Sequence, residues 1–335
     1  MSTDPTLRQS HRATPPRHGS GVIAKLLTTL YALVVLPVAL GLLSFGSSGL
    51  QRVVTTSGGG RSLLPEILNG PMATQILLGL GVGILLLMSI VVTGLASSAG
   101  MIVAGVLGLG AVLLTAVPSL LLQLYGVRPE FVPAELLDGF FYGVPLVIGP
   151  LLGGLGTALA IARRRPRSPW FLSLLGLVLV PLGLLIAMAL MFGAHAEGVY
   201  AALQRFEADF NPVVALVVAA GAVLLWVVAA TTAWSTLAST VMALLLLAAS
   251  AAALQPGLVG IPSAVWKVPA GQVAISFLMS GGGIAAAAIL LVHTAVLASV
   301  RGRARRRLRE QPPAEPAVPT DLSGPTDPPP VGQPA

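Results

Sequence analysis

The chain has 335 residues, 55% of them hydrophobic and only 9% charged, with a formal net charge of +7. A soluble globular domain carries roughly 25% charged residues, so a chain this apolar has too little polar surface to cover a water-facing fold. It has no cysteine, which excludes disulfides, thiol catalysis and zinc–thiolate sites.

The mean hydropathy is +0.89. It is concentrated between Val22 and Val300, in apolar runs separated by short polar gaps. Each run is near the ~20 residues that a helix needs to cross a bilayer. The expected fold class is therefore all-α: a polytopic transmembrane helix bundle of about eight spans.

Residues 1–20 are polar, basic and contain proline, and are expected to form a disordered tail. Residues 21–301 form the transmembrane domain. The first span, 22–45, follows Arg8, Arg12, Arg17 and Lys25 as a signal peptide would. It is too long for a typical signal core and a second span follows, so it reads as an uncleaved helix. The segment LPEILNG (64–70) has a proline where a helix starts and a glycine where it stops, which predicts a short outer helix. Spans two and three, 72–95 and 99–122, are split only by LASSAG (95–100). PAELLDG (133–139) repeats the pattern of the first outer helix. Span four, 141–162, ends in Arg163, Arg164, Arg165 and Arg167.

Span five covers 170–193. The segment 195–210 then places Val199, Leu203, Phe206 and Phe210 on one helical face, predicting an amphipathic helix in the outer interface. Spans six and seven, 212–231 and 234–254, are split only by TTAWST (231–236). Span eight, 273–300, runs into Arg301, Arg303, Arg305, Arg306 and Arg307. Residues 302–335 are basic and then proline-rich, and are expected to be a second disordered tail.

Charge predicts the orientation. With the N-terminus in the cytoplasm, the basic tails and the arginine runs after spans four and eight all lie inside. Only Arg52, Arg61, Arg128, Arg205 and Lys267 lie outside. Positive residues are retained on the cytoplasmic side during insertion, so both termini are expected there, in a cell membrane. The runs Arg163–Arg165, Arg167, Arg301, Arg303 and Arg305–Arg307 hold this topology. That is their plain reading; their functional reading is a basic inner collar for anionic lipid headgroups or an acidic partner, each arginine adding ~1 kcal/mol near the surface. The second basic run lacks aromatic stacking residues and any recognition motif, so no nucleic acid partner is expected.

The sequence hints at two tandem four-helix halves. LVVLP (33–37) recurs as LVLVP (177–181), GLASS (94–98) as TLAST (236–240), and spans four and eight both end in arginines. Such parallel repeats are related by an axis along the membrane normal.

Apart from Lys25 at the start of the first, His293 is the one ionisable side chain inside these eight spans. It lies ~12 Å up the last helix from Arg301, at 1.5 Å per residue. Its plain reading is a neutral imidazole bonded to a neighbouring helix; its functional reading is a relay or headgroup ligand. No metal, cofactor or intramembrane catalytic set is expected, because ligand and nucleophile–base spacings are absent. Ser276 and Ser280 are too far along the helix from His293 to use it as a base. His195, Glu197, Glu130, Glu135 and Asp138 share the outer side but match no ligand motif.

Glycine and proline supply the substrate-site candidates: Gly149, Pro150 and Gly153 in span four, and Ser280, Gly281, Gly282 and Gly283 in span eight, together with His293. Small residues at i and i+4 let helices pack closely, whereas broken helices at matching places in two halves mark a transporter site. Two functions follow. One is a permease-like transporter of a neutral or lipid-like solute. The other is a non-transporting accessory or assembly subunit that binds a membrane-protein partner or a second copy of itself.

Overall fold

The computed structural model describes residues 18–56, 63–130, 134–165, 170–200, 202, 210–254, 265 and 267–310. The elements are α1 (His18–Thr56), α2 (Leu63–Asn69), α3 (Ala73–Thr93), α4 (Ala99–Ala116), α5 (Pro118–Val127), α6 (Asp138–Phe141), α7 (Val144–Arg164), α8 (Trp170–His195), α9 (Pro212–Thr231), α10 (Thr236–Ala253), α11 (Pro269–Met279) and α12 (Gly282–Glu310). A 3-10 turn at Ala134–Leu136 precedes α6, and a π-helical turn at Ala196–Tyr200 extends α8.

Eight of these helices, α1, α3, α4, α7, α8, α9, α10 and α12, are long and apolar enough to cross a membrane. Lipid offers no hydrogen bonds to the backbone, so an apolar run of this length closes its bonds within itself as a helix. The fold is an all-α polytopic bundle, and the protein is a multi-pass integral membrane protein. Local chemistry sets several ends. Asn211 accepts from the Val213 and Val214 amides, with Pro212 in the first turn of α9. The Ser235 hydroxyl accepts from the Ala238 amide at the start of α10.

The lipid-facing rows are exposed leucine and valine, such as Leu26, Leu30 and Val34 on α1 and Leu174, Val178 and Leu182 on α8. Two helices sit differently. The apolar window of α7 is 83% buried and that of α12 56%, against 28–44% in the other spans. These two helices pack on each other at the centre of the bundle.

The contacts repeat between halves. α1 packs on α3 and α4 as α8 packs on α9 and α10, and α4 packs on α7 as α10 packs on α12. The halves also interlock crosswise, α3 on α12 and α9 on α7. A Cβ on Gly79 of α3 would meet the Leu42 carbonyl of α1; one on Gly221 of α9 would meet the Ala187 carbonyl of α8. Four crossings separate α1 from α8, so the halves run in the same direction. This is the parallel arrangement expected from LVVLP and LVLVP.

Several boundaries differ from those expected of the sequence, each for a visible reason. The first helix runs on to Thr56 instead of stopping at 45. Its polar residues there are taken up by neighbours: Gly46 packs on α3 at Gly79 and Leu80, and the Ser47 hydroxyl donates to the Ser280 carbonyl at 2.6 Å. The third span ends at Ala116, because Pro118 lacks an amide and Val117 leaves the helical region at φ −129°. The eighth run is two helices, with the break at Ser280 and Gly281.

His195 is not a loop residue. It lies on the last turn of α8 and is 1% exposed, so His293 is not the one ionisable side chain within the spanning helices. The last helix continues to Glu310, past residue 302, where the tail was expected to start. The short helices expected at 64–70 and 133–139 are present as α2 and as the 3-10 turn with α6. Half of the amphipathic segment 195–210, including Leu203 and Phe206, residues 1–17 and residues 311–335 lie outside the described residues.

Candidate functional site

Each central helix begins in the same way. Gly143 precedes α7 with φ +70°, and Gly281 precedes α12 with φ +83°. A side chain in this left-handed region costs roughly 1–2 kcal/mol, so glycine is what the geometry requires here. Gly143 stands as far before Arg163 as Gly281 does before Arg301. A short helix leads into each glycine, α6 into Gly143 and α11 into Gly281. α6 packs on α1 and α11 on α8, which are equivalent helices of the two halves. Matching the glycine clusters of spans four and eight through Gly153 and Gly283 is thus out of register. The matched pair is Gly143 and Gly281, and their equal distance from the arginines was the signal.

The other ends of the central helices match as well. Arg163 donates from Nη2 to the Gly94 carbonyl, and Arg301 from Nη2 to the Ala233 carbonyl, reaching back 69 and 68 residues. Each arginine thus fastens a central helix to the tight turn between two spans of its own half. Arg164, Arg165, Arg303, Arg305 and Arg306 are the exposed members of the collar. The Arg307 backbone lies within α12, and Arg167 is outside the described residues.

The remaining candidates separate. Gly149 and Gly153 face α4, where a Cβ on Gly108 would overlap the backbone of Gly149 and one on Gly105 the backbone of Gly153. Gly153 also carries the Trp226 ring of α9, whose Nε1 donates to Thr157 at 3.2 Å. Pro150 lies buried within α7. Gly149 and Gly153 thus bring the backbones of α4 and α7 into contact. Ser280 to Gly283 form the break: Ser280 donates from its hydroxyl to the Phe277 carbonyl, Gly281 faces Leu80, Gly282 faces the Phe277 ring, and Gly283 faces the Ser250 hydroxyl. His293 is fully buried farther down α12, with Nε2 3.3 Å from the Thr232 hydroxyl. The structure therefore joins Ser280–Gly283 to α11, places Gly149–Gly153 against α4, and holds His293 apart from both.

Comparison with protein families, curated proteins and solved structures finds no match for this chain. The chemistry has to be read from its own residues.

At the end of the bundle away from the arginine runs lies a polar layer whose members looked like loop residues in the sequence. Arg52 pairs with Glu135 at 3.0 Å. Tyr125 donates from its hydroxyl to Asp138 at 3.2 Å. His195 donates from Nε2 to the Phe141 carbonyl at 3.1 Å, and its Nδ1 is 3.3 Å from the Thr115 hydroxyl. Glu135 is held below the ordinary carboxylate range, first by a bond from its own backbone amide and then by Arg52. Burial pushes Asp138 above that range, against the pull of the Tyr125 hydrogen bond. Burial and then Asp138 push the Tyr125 phenol above its usual range.

The two carboxyls have opposite pH linkage. A raised folded-state value means that the folded protein binds the proton better, so Asp138 lowers stability as pH rises through and above the ordinary value near 4. Glu135 contributes stability above its unfolded value and loses it as pH falls. Asp138→Asn keeps an acceptor for Tyr125 and removes the charge. Its melting temperature relative to the parent protein should be higher at pH 7 than at pH 4; detergent-solubilised unfolding read at both values checks this.

On the lipid-facing side, an apolar groove of about 320 Å³ lies between α4 and α9, lined by Leu109, Ala222, Val223, Trp226 and Val227. Among the described residues, no group of three His, Asp or Glu side chains is placed to hold a metal ion.

Proposed function

We propose that this chain is a permease-like protein of the cell membrane, with both termini in the cytoplasm, which moves a neutral or lipid-like solute and carries out no covalent chemistry. The observation that carries the reading is the pair Gly143 and Gly281: two left-handed glycines at matching outer ends of the two helices that meet at the centre of the bundle. Each joins a short helix to a central one, and glycine tolerates the dihedral changes such a joint needs. Discontinuous helices in matching places of two repeats are the arrangement that supports alternating access. The arginine collar favours contact with anionic lipid headgroups on the cytoplasmic face.

The competing reading is an accessory or assembly subunit. It needs faces of small residues left for a partner helix. The glycine pairs Gly46–Gly79, Gly105–Gly153 and Gly108–Gly149 are instead taken up between the chain's own helices, which favours the permease.

Untargeted metabolite comparison of a deletion strain supplies candidate solutes, and the purified chain in liposomes tests them. Flux is expected from the chain alone. Gly281→Ala should still insert and fold but reduce flux about tenfold, since the left-handed strain of roughly 1–2 kcal/mol biases the joint. Absence of flux, together with a fixed partner retained in mild detergent, would establish the accessory role instead.

A further inference from the structure

Three buried polar side-chain atoms have no hydrogen-bond partner among the described residues: Ser239 Oγ, Ser250 Oγ and His293 Nδ1. All three lie on α10 or α12, which pack together. Ser250 faces Gly283 and the Ala233 carbonyl takes Arg301, so the two helices are antiparallel, and this register puts Ser239 at the level of His293. Ser239 also lies on the same stripe of α10 as Ser250, the stripe that faces α12.

The hydrogen bonds fix the imidazole tautomer. Thr232 has one hydroxyl proton and gives it to the Ala229 carbonyl at 2.7 Å. The 3.3 Å contact to His293 therefore has Nε2–H as donor and the threonine oxygen as acceptor. Nδ1 is then a bare lone pair in a fully buried position. A buried acceptor of this kind is almost always satisfied, by protein or by an enclosed molecule.

The first half of the chain provides an internal control. Leu155 stands as far before Arg163 as His293 does before Arg301, and it is also fully buried. Thr93 donates to the Ile90 carbonyl just as Thr232 donates to that of Ala229. The scaffold thus closes with leucine at this place, and packing alone does not call for an imidazole.

We infer that Ser239 and His293 form a buried binding site for one neutral hydroxyl group, either of a water molecule or of a hydroxylated solute. The group donates to His293 Nδ1 and accepts from the Ser239 hydroxyl. A bare lone pair repels an anion. A cation would have no carboxylate to meet: α3, α7, α9, α10 and α11 carry none, and the charged residues that end α7 and begin the polar stretch of α12, Arg163–Arg165, Arg301, Arg303, Arg305 and Arg306, are all arginines. The site rests on the permease reading only for the route by which a solute would reach it.

The test is nitrogen-15 NMR of the full chain, labelled at histidine, in lipid nanodiscs with and without glycerol. His293→Leu assigns the signal, using the residue that the first half carries; His293→Asn serves if that variant does not fold. The expected spectrum has a protonated Nε2 and an Nδ1 shifted as a hydrogen-bond acceptor, with the shift lost in Ser239→Ala. An Nδ1 signal that moves on adding glycerol identifies a solute hydroxyl; one that stays identifies water. A free-acceptor Nδ1 in both conditions, a proton on Nδ1, or a shift unchanged by Ser239→Ala would overturn the site. Liposome flux is measured separately: flux with a free Nδ1 removes the site alone, and a bonded Nδ1 without flux removes the permease alone.

Discussion

Gly108→Ala and Gly110→Ala, two residues apart on α4, should move stability in opposite directions. A methyl group on Gly108 would overlap the Cα of Gly149, and the carbonyl carbon and amide of that residue lie just behind. All three are backbone atoms, so no flexible side chain can give way, and α7 itself has to shift. Overpacking of this kind costs about 1–3 kcal/mol. α7 is held by α4 on one side and by α9 and α12 on others, which places the cost at the upper end. Gly110 has nothing within 4 Å of its added methyl. There the change only improves helix propensity, by up to about 1 kcal/mol. Thermal unfolding of the two variants in the same detergent checks both signs. Equal, small effects would mean that α4 and α7 are not in backbone contact.

How much of this was legible in the sequence depended on whether one segment settled the matter. Lipid forces any long apolar run into a helix, so the spans could be read from composition alone. Their ends could not, because the deciding partner is remote in sequence. The run from Gly46 to Thr56 looks like loop until Gly79 is known to sit against Gly46 and Ser280 to accept from Ser47. His195 looks like a loop residue until Thr115 and the Phe141 carbonyl are seen around it. The duplication was visible in LVVLP and LVLVP, but its register was not. Conspicuous glycine clusters drew attention to Gly153 and Gly283, whereas the matching pair, Gly143 and Gly281, is set by a backbone dihedral that leaves no mark beyond spacing. Gly149 and Gly153 share the composition of a broken helix, yet α7 runs through them unbroken, because α4 presents glycines of its own at Gly105 and Gly108.

Removing the Arg301 side chain should destabilise the bundle without turning it over in the membrane. The guanidinium reaches the Ala233 carbonyl in a turn whose residues Thr232, Ala233 and Ser235 are almost fully buried. Arg301→Ala leaves that carbonyl without a donor in a place water does not readily reach, which costs about 1–3 kcal/mol. The long apolar stem of the side chain is lost as well. Arg301→Lys supplies one compact ammonium in place of a fork and should fall between. Arg163→Ala should cost a similar amount through Gly94. The two arginines share no partner, so the double variant should lose close to the sum. Orientation has a separate basis. Arg303, Arg305, Arg306 and Arg307 remain beside Arg301, and Arg164 and Arg165 beside Arg163, enough positive charge to keep these ends on their original side. Unfolding measured in detergent, paired with labelling of single cysteines introduced near each terminus, separates the two roles. A lowered melting point with unchanged labelling marks these two arginines as staples between helix and turn. An unchanged melting point with altered labelling would mark them as topology signals alone.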